Sequence, residues 1–169
     1  MNISANDIRN AKSDEQLFKI LSSELNTRLG PKRKDFDGHL RFIRKLPRGL
    51  RAMAAIHRLD ISMAIDDLGW HFHNFHHQEL CEETLVGLRE LGATEAAEIF
   101  EKALALAEPH WGKIGEADFE DWYGKSGLEK SLEPLNKQLW VLCEKSRDYG
   151  LMNHWLSYAR EYPERLLEN

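Results

Sequence analysis

Apolar residues recur every three to four positions along most of the chain, and no stretch shows the strict alternation of a half-buried strand. Ser13-Asp-Glu-Gln16 has the form of a capping box, in which the serine hydroxyl accepts from a backbone N–H three residues on and the glutamine reaches back. Leu17, Ile20, Leu21 and Leu25 follow at helical spacing, so a helix is predicted to Leu29, ended by Gly30-Pro31. Residues 2–12 read either as a separate short helix or as a loose arm. Phe36, Leu40, Ile43 and Leu46 keep the helical period up to Pro47, which fits the first turn of the next helix. Between Leu50 and Leu68 the apolar residues are dense and nearly all-round, the mark of a central, buried helix. Asp60 and Asp66-Asp67 interrupt it, and Gly69 is expected to break it or to let another backbone come close.

Glu79 to Leu91 reads as an amphipathic helix with Cys81, Leu85 and Leu88 inward, and Glu79, Glu83 and Glu90 on another face. Gly92 is its stop, Thr94 the expected cap of a second helix, Glu95–Ala107, and the short gap implies an antiparallel pair. Residues 109–127 hold four glycines and the aromatics Trp111, Phe119, Trp122 and Tyr123. They predict a structured loop with one helical turn at Asp118–Tyr123. Helix resumes over Leu128–Cys143, with Pro134 either bending it or marking its true start, and a last helix covers Leu151–Tyr162. The prediction is an all-α fold: one compact multi-helix domain over 1–169, with basic N-terminal helices to residue 45 and an irregular loop at 109–127.

Composition adds little until it is divided along the chain. A chain of 169 residues, 42% hydrophobic and 30% charged, can bury a real core. No apolar run approaches a membrane span and no secretory signal is visible, so a cytoplasmic location is expected. Cys81 and Cys143 form neither a metal pattern nor a disulfide framework and read as reduced thiols. The net charge of −5, however, hides an asymmetry: residues 1–60 carry a net +6 and residues 79–133 a net −9. Such a division means either a polar surface for a partner, or a basic half and an acidic half of one domain facing each other.

Three kinds of chemistry are open to these residues. The basic stretch Arg41, Arg44, Lys45, Arg48 and Arg51 could meet phosphates, but it has only Phe42 interleaved and no binding motif, so direct nucleic-acid binding is not expected. His71, His73, His76 and His77 crowd seven residues. On one helix His73 and His76, or His73 and His77, could share a zinc ion, with Glu79, Glu83 or a distant His as a further ligand. The glutamate of an HExxH motif is absent, because Asn74 and Phe75 stand between the histidines, and that removes the ready general base. No catalytic triad, phosphate loop or dinucleotide signature is present, so no catalytic residue is assigned and no cofactor is expected. The third is the acidic surface: Glu79, Glu82, Glu83, Glu90, Glu95, Glu98, Glu101, Glu116, Asp118, Glu120 and Asp121.

Several motifs look familiar. They are Leu46-Pro-Arg-Gly-Leu-Arg-Ala-Met-Ala-Ala-Ile-His-Arg-Leu-Asp60, Gly69-Trp70, Glu82-Glu-Thr84, Leu88, Leu91-Gly92-Ala93, Ala96-Ala97 and Leu156-Ser-Tyr-Ala-Arg-Glu-Tyr-Pro-Glu164. Over residues 46–165 the chain resembles the bacterial DNA-mimic protein family, with Tyr162 where that family often has His. The family's Asn-Gly-Gly-aromatic-x-Gln-aromatic pattern appears here as Asp67-Leu68-Gly69-Trp70-His71-Phe72-His73, without one Gly and without the Gln. The resemblance implies a small helical, non-enzymatic protein whose carboxylates imitate the phosphates of a duplex and engage a basic protein, such as a DNA-binding regulator. An immunity-type inhibitor of a toxin would use the same acidic surface, and a histidine-based zinc protein or metalloenzyme is the alternative from another class.

Overall fold

Ser4 caps the first helix, α1 (Ala5–Arg9): its hydroxyl accepts from the Asp7 N–H while Asp7 accepts from the Ser4 N–H, a reciprocal pair that satisfies two helix-start donors. In the computed structural model, which describes residues 3–29, 36–114, 116–145 and 150–167, every regular element is a helix. Helix α2 (Asp14–Leu29) starts at the predicted capping box, with Gln16 N–H on the Ser13 hydroxyl and the Gln16 carbonyl oxygen taking the Lys12 N–H. The Gly30-Pro31 stop and Gly115 lie outside the described residues.

Helices α3 (Phe36–Ile43) and α4 (Arg48–Ile65) meet at Pro47, which stands at the N-cap of α4. Met53, Ile56 and Leu59 of α4 are fully buried, and α3 and the helices Leu68–Asn74, Gln78–Glu90, Leu128–Lys145 and Asn153–Glu161 all pack on it. It ends at Asp66, before Gly69. Gly69 lies inside the next helix, α5 (Leu68–Asn74), whose start is capped by the Asp67 carboxylate on the Trp70 N–H. The reason Gly69 is there is a side chain, not a backbone: a Cβ at this position would fall 2.3 Å from the Tyr123 ring.

Helix α6 (Gln78–Glu90) buries Leu80, Cys81, Glu83, Thr84, Gly87 and Leu88, while Leu85 is only half-buried. The inward face is therefore rotated from the predicted one. Gly87 explains the rotation: it brings α6 so close to α4 that a Cβ would lie 2.9 Å from the Ala52 carbonyl oxygen. Gly92 has φ +74° and ends α6, with the Ala93 N–H returning to the Leu88 carbonyl. Helix α7 (Thr94–Ala107) follows with Ala93 at its N-cap, so Thr94 is the first helical residue and makes no capping bond. It packs on α6 and α9.

Residues 108–114 and 116–127 fold as a 3-10 turn, a series of turns and the one-turn helix α8 (Phe119–Trp122), as predicted. Helix α9 (Leu128–Lys145) runs through Pro134 and begins at Leu128, so Pro134 does not mark its start. Helix α10 (Asn153–Glu161) closes the chain with a 3-10 turn, Pro163–Leu166. Buried apolar residues from Ile8 to Leu166 form one cluster, to which α1 and α2 contribute Ile8, Leu17, Leu21 and Leu25. Among the described residues no helix is long and apolar enough to cross a membrane.

One buried carboxylate stands in the middle of α4. Asp60, 7% exposed, accepts the Leu151 N–H at 2.6 Å beside Gly150, and burial raises its pKa to about 6. A folded pKa above the unfolded value of 3.8 means that this group opposes folding at neutral pH. The penalty fades as pH falls through 6 and is gone below the unfolded value. Asp60→Asn is expected to raise stability at pH 7 by about 2 kcal/mol, the two-unit displacement less the amide's own burial cost. The difference between wild type and variant should vanish near pH 4, which denaturant titrations at both pH values measure.

Candidate protein-interaction surface

The eleven acidic candidates divide into two sets. Glu83 is the clearest member of the first. At 5% exposure it accepts from Arg44 Nε at 2.7 Å and from Arg51 Nε and Nη2 at 2.8 and 2.6 Å. Burial on its own would raise its pKa, but the hydrogen bonds from Arg51 and Arg44 outweigh that and leave it lowered. Arg44 also donates to Glu79, at 2.7 Å. Glu90, nearly buried, is ion-paired with Arg48, lies 3.7 Å from Arg165 and accepts the Tyr158 hydroxyl at 2.5 Å. The Tyr158 hydroxyl is pushed up to about 12 by burial and by Glu90.

The stripe of Glu79, Glu83 and Glu90 predicted along α6 therefore faces the arginines at the α3–α4 corner. For this part of the molecule the basic and acidic halves face each other. Glu83 is a correction to the surface assignment: a partner's cation cannot reach a carboxylate that is buried and holds three N–H donors. The signal that could have placed it is the small pair Thr84 and Gly87, three apart on the face that touches α4.

The second set stays outside. Glu95 and Glu98 are exposed on α7, three residues apart on one side of the helix. Glu98 and Lys102, four apart, form no ion pair, and Glu101 is the α7 acid that takes a cation, Arg89 at 2.9 Å. Glu82 is exposed and accepts from Gln78. Glu116, Asp118, Glu120 and Asp121 are all exposed around α8, and Asp121 pairs with Lys125 four residues on. Ion pairs at this exposure are worth little, so Glu101 and Asp121 are held only loosely.

The histidines do not share a helix face. α5 ends at Asn74, and Phe75 leaves helical geometry with φ −130° and ψ 38°, so His76 lies in the connection and His77 at the N-cap of α6. His71 is 2% exposed, with Nδ1 2.9 Å from the Ser62 hydroxyl and Phe72, Phe75 and Phe100 around it. Burial, reinforced by Arg58, lowers its pKa to about 3, so it is a neutral core residue. His73 Nδ1 is 3.0 Å from Trp122 Nε1; an indole N–H can only donate, so His73 accepts there and carries its proton on Nε2. His76 Nδ1 donates to the His73 carbonyl at 2.9 Å, and His77 Nε2 meets Asp37 at 2.8 Å. Among the described residues no group of three or more His, Cys, Asp or Glu could hold a metal ion.

The Asp67-Leu68-Gly69-Trp70 stretch proves to be a clasp. Asp67 caps α5 and accepts from the Tyr123 hydroxyl and, at 3.2 Å, from Asn136 of α9, whose own carbonyl oxygen takes the Leu68 N–H at 3.1 Å. Burial and this carboxylate raise the Tyr123 pKa. Three elements distant in the chain are thus tied together. Burial also pushes the two free thiols, Cys81 and Cys143, up to about 12, so neither is a ready nucleophile.

A family model described as DMP19-like protein matches residues 44–161, the stretch from the α3–α4 corner to the end of α10. No curated protein and no solved structure matches the chain.

Proposed function

We propose that this chain, which belongs to the DMP19-like protein family, is a non-enzymatic interaction protein that presents carboxylates in place of DNA phosphates to a basic, DNA-binding protein. The family match fits a DNA-mimic protein. The single observation that carries the reading is the division of the acidic residues: Glu79, Glu83 and Glu90 are held by arginines, while Glu95, Glu98, Glu116, Asp118 and Glu120 are exposed and form no ion pair among the described residues. A helix advances about 4.5 Å over three residues, which puts successive charges on α7 at a spacing that cations reading a duplex can use. Opposite charge on the two partners speeds encounter and fades with salt.

The test is to neutralise the free set and leave the α6 set alone. A partner isolated at low salt from a lysate of the native host should bind E95Q/E98Q/D118N/E120Q roughly 30-fold more weakly, at about 0.5 kcal/mol for each exposed charge. Glu79→Gln, whose carboxylate is already on Arg44, should change affinity less than about two-fold. Equal affinity for wild type and the fourfold variant, measured by titration calorimetry, would sink the proposal.

A further inference from the structure

The cations at the α3–α4 corner do more than hold α6. Arg44, Lys45, Arg48 and Arg51 line an open groove of about 650 Å³, together with the apolar Leu46 and Val86. That volume is within the range of small-molecule sites. Four cations stand there against Glu83, Glu90 and, through Arg44, Glu79, which leaves one positive charge over in a chain of net −5. The glutamates do not use up the donors. Among the described residues exposed Lys45 forms no ion pair, and Arg48, with its side chain 67% exposed, gives Glu90 only part of its five N–H groups. Meanwhile Glu83 fixes the Arg44 and Arg51 guanidiniums from below through three hydrogen bonds, so the charged wall is ordered before anything binds. Val86 is a large apolar residue left 56% exposed in this otherwise charged setting.

We propose that this groove binds a carboxylate carried on an apolar body, with the carboxylate on Lys45 and Arg48 and the apolar part against Leu46 and Val86. A single anionic group offsets the surplus charge, and such charge-assisted bonds are the strong ones. An extended polyanion fits less well, because a run of phosphates along the groove would meet Glu83 and Glu90 as like charges. The chemistry has two sources, the C-terminus of a peptide and a free organic acid.

Titration calorimetry on the full chain separates them. The probes are octanoate, a hexapeptide ending in leucine with a free carboxyl, and the same hexapeptide amidated. At least one free-acid probe is expected to bind at one per chain, with the amide at least about ten-fold weaker. Binding of octanoate alone assigns the site to a free organic acid, and binding of the peptide acid alone assigns it to a C-terminus. Lys45→Met, at an exposed position without an ion pair, should weaken the acid by at least about ten-fold while leaving the melting temperature unchanged. Lys130→Met, at an exposed position on α9 away from the groove, should leave binding unchanged. Indifference to amidation or to Lys45→Met, no binding of any probe at millimolar concentration, or tighter binding of a short DNA duplex than of either acid would overturn the proposal.

Discussion

Replacing Glu83 by alanine is expected to destabilise the fold by about 3 to 4 kcal/mol, the usual cost of removing one partner from a buried ion pair. The change leaves Arg44 Nε and two N–H groups of Arg51 without their acceptor, beside a space that an alanine cannot fill. It also loosens the corner between α3, α4 and α6, since among the described residues no other side chain takes hydrogen bonds from both arginines. Glu98→Ala, on the open face of α7, should change stability by less than about 0.5 kcal/mol, as surface substitutions do. The pH dependence follows from the lowered pKa of Glu83: its contribution is complete above the usual glutamate value of 4.5 and is lost as pH falls through the lower folded value. Glu83→Gln should therefore be less stable at pH 7 and lose less on acidification than wild type. Urea titrations at pH 7 and in acid give both numbers, and a Glu83→Ala cost no larger than that of Glu98→Ala would refute the structural role.

Gly69→Ala is expected to cost about 3 kcal/mol by overpacking. Its Cβ would lie 2.3 to 2.7 Å from three atoms of the Tyr123 ring. A flexible side chain could swing away, but this one is pinned. Tyr123 is 5% exposed, its hydroxyl donates to Asp67, and its ring lies 4.8 Å from Phe119 and 5.5 Å from Trp122. The added methyl must break the clasp or shift α5 off α8. Gly112→Ala, with nothing within 4 Å of the added carbon and no positive φ, serves as the control and should be nearly neutral. A Gly69→Ala variant as stable as Gly112→Ala in denaturant would show that the ring moves freely.

The helices were legible because their causes are local. Periodicity and stop signals placed α2, α4, α6, α7, α9 and α10, and the Gly92 turn follows from one residue's freedom at positive φ. The motifs running from Leu46 to Glu164 anticipated the family match. What was not legible depends on residues far apart in the chain. The inward face of α6 was read from Cys81, Leu85 and Leu88, the apolar positions, whereas Thr84 and Gly87 set the approach to α4 and carried Glu83 inside with them. Its partners Arg44 and Arg51 lie 39 and 32 residues away, and no periodicity pairs them. The histidine cluster looked like one helix face because nothing local announces that Phe75 leaves the helix. Gly69 is legible as a helix break or a close approach of another backbone, but what fills the space is the Tyr123 ring, from 54 residues further on. Of the candidate site, the total acidity was readable and its division into held and free carboxylates was not.

The measurement that tests this division and the proposed mimicry together is competition by duplex DNA. A partner captured on the immobilised chain at low salt is challenged with a short duplex, in parallel on wild type and on E95Q/E98Q/D118N/E120Q. The account predicts that DNA releases the partner from wild type, that added salt does the same, and that the fourfold variant retains little to release. A partner that stays bound in excess DNA, or binds the variant as well as wild type, would contradict it.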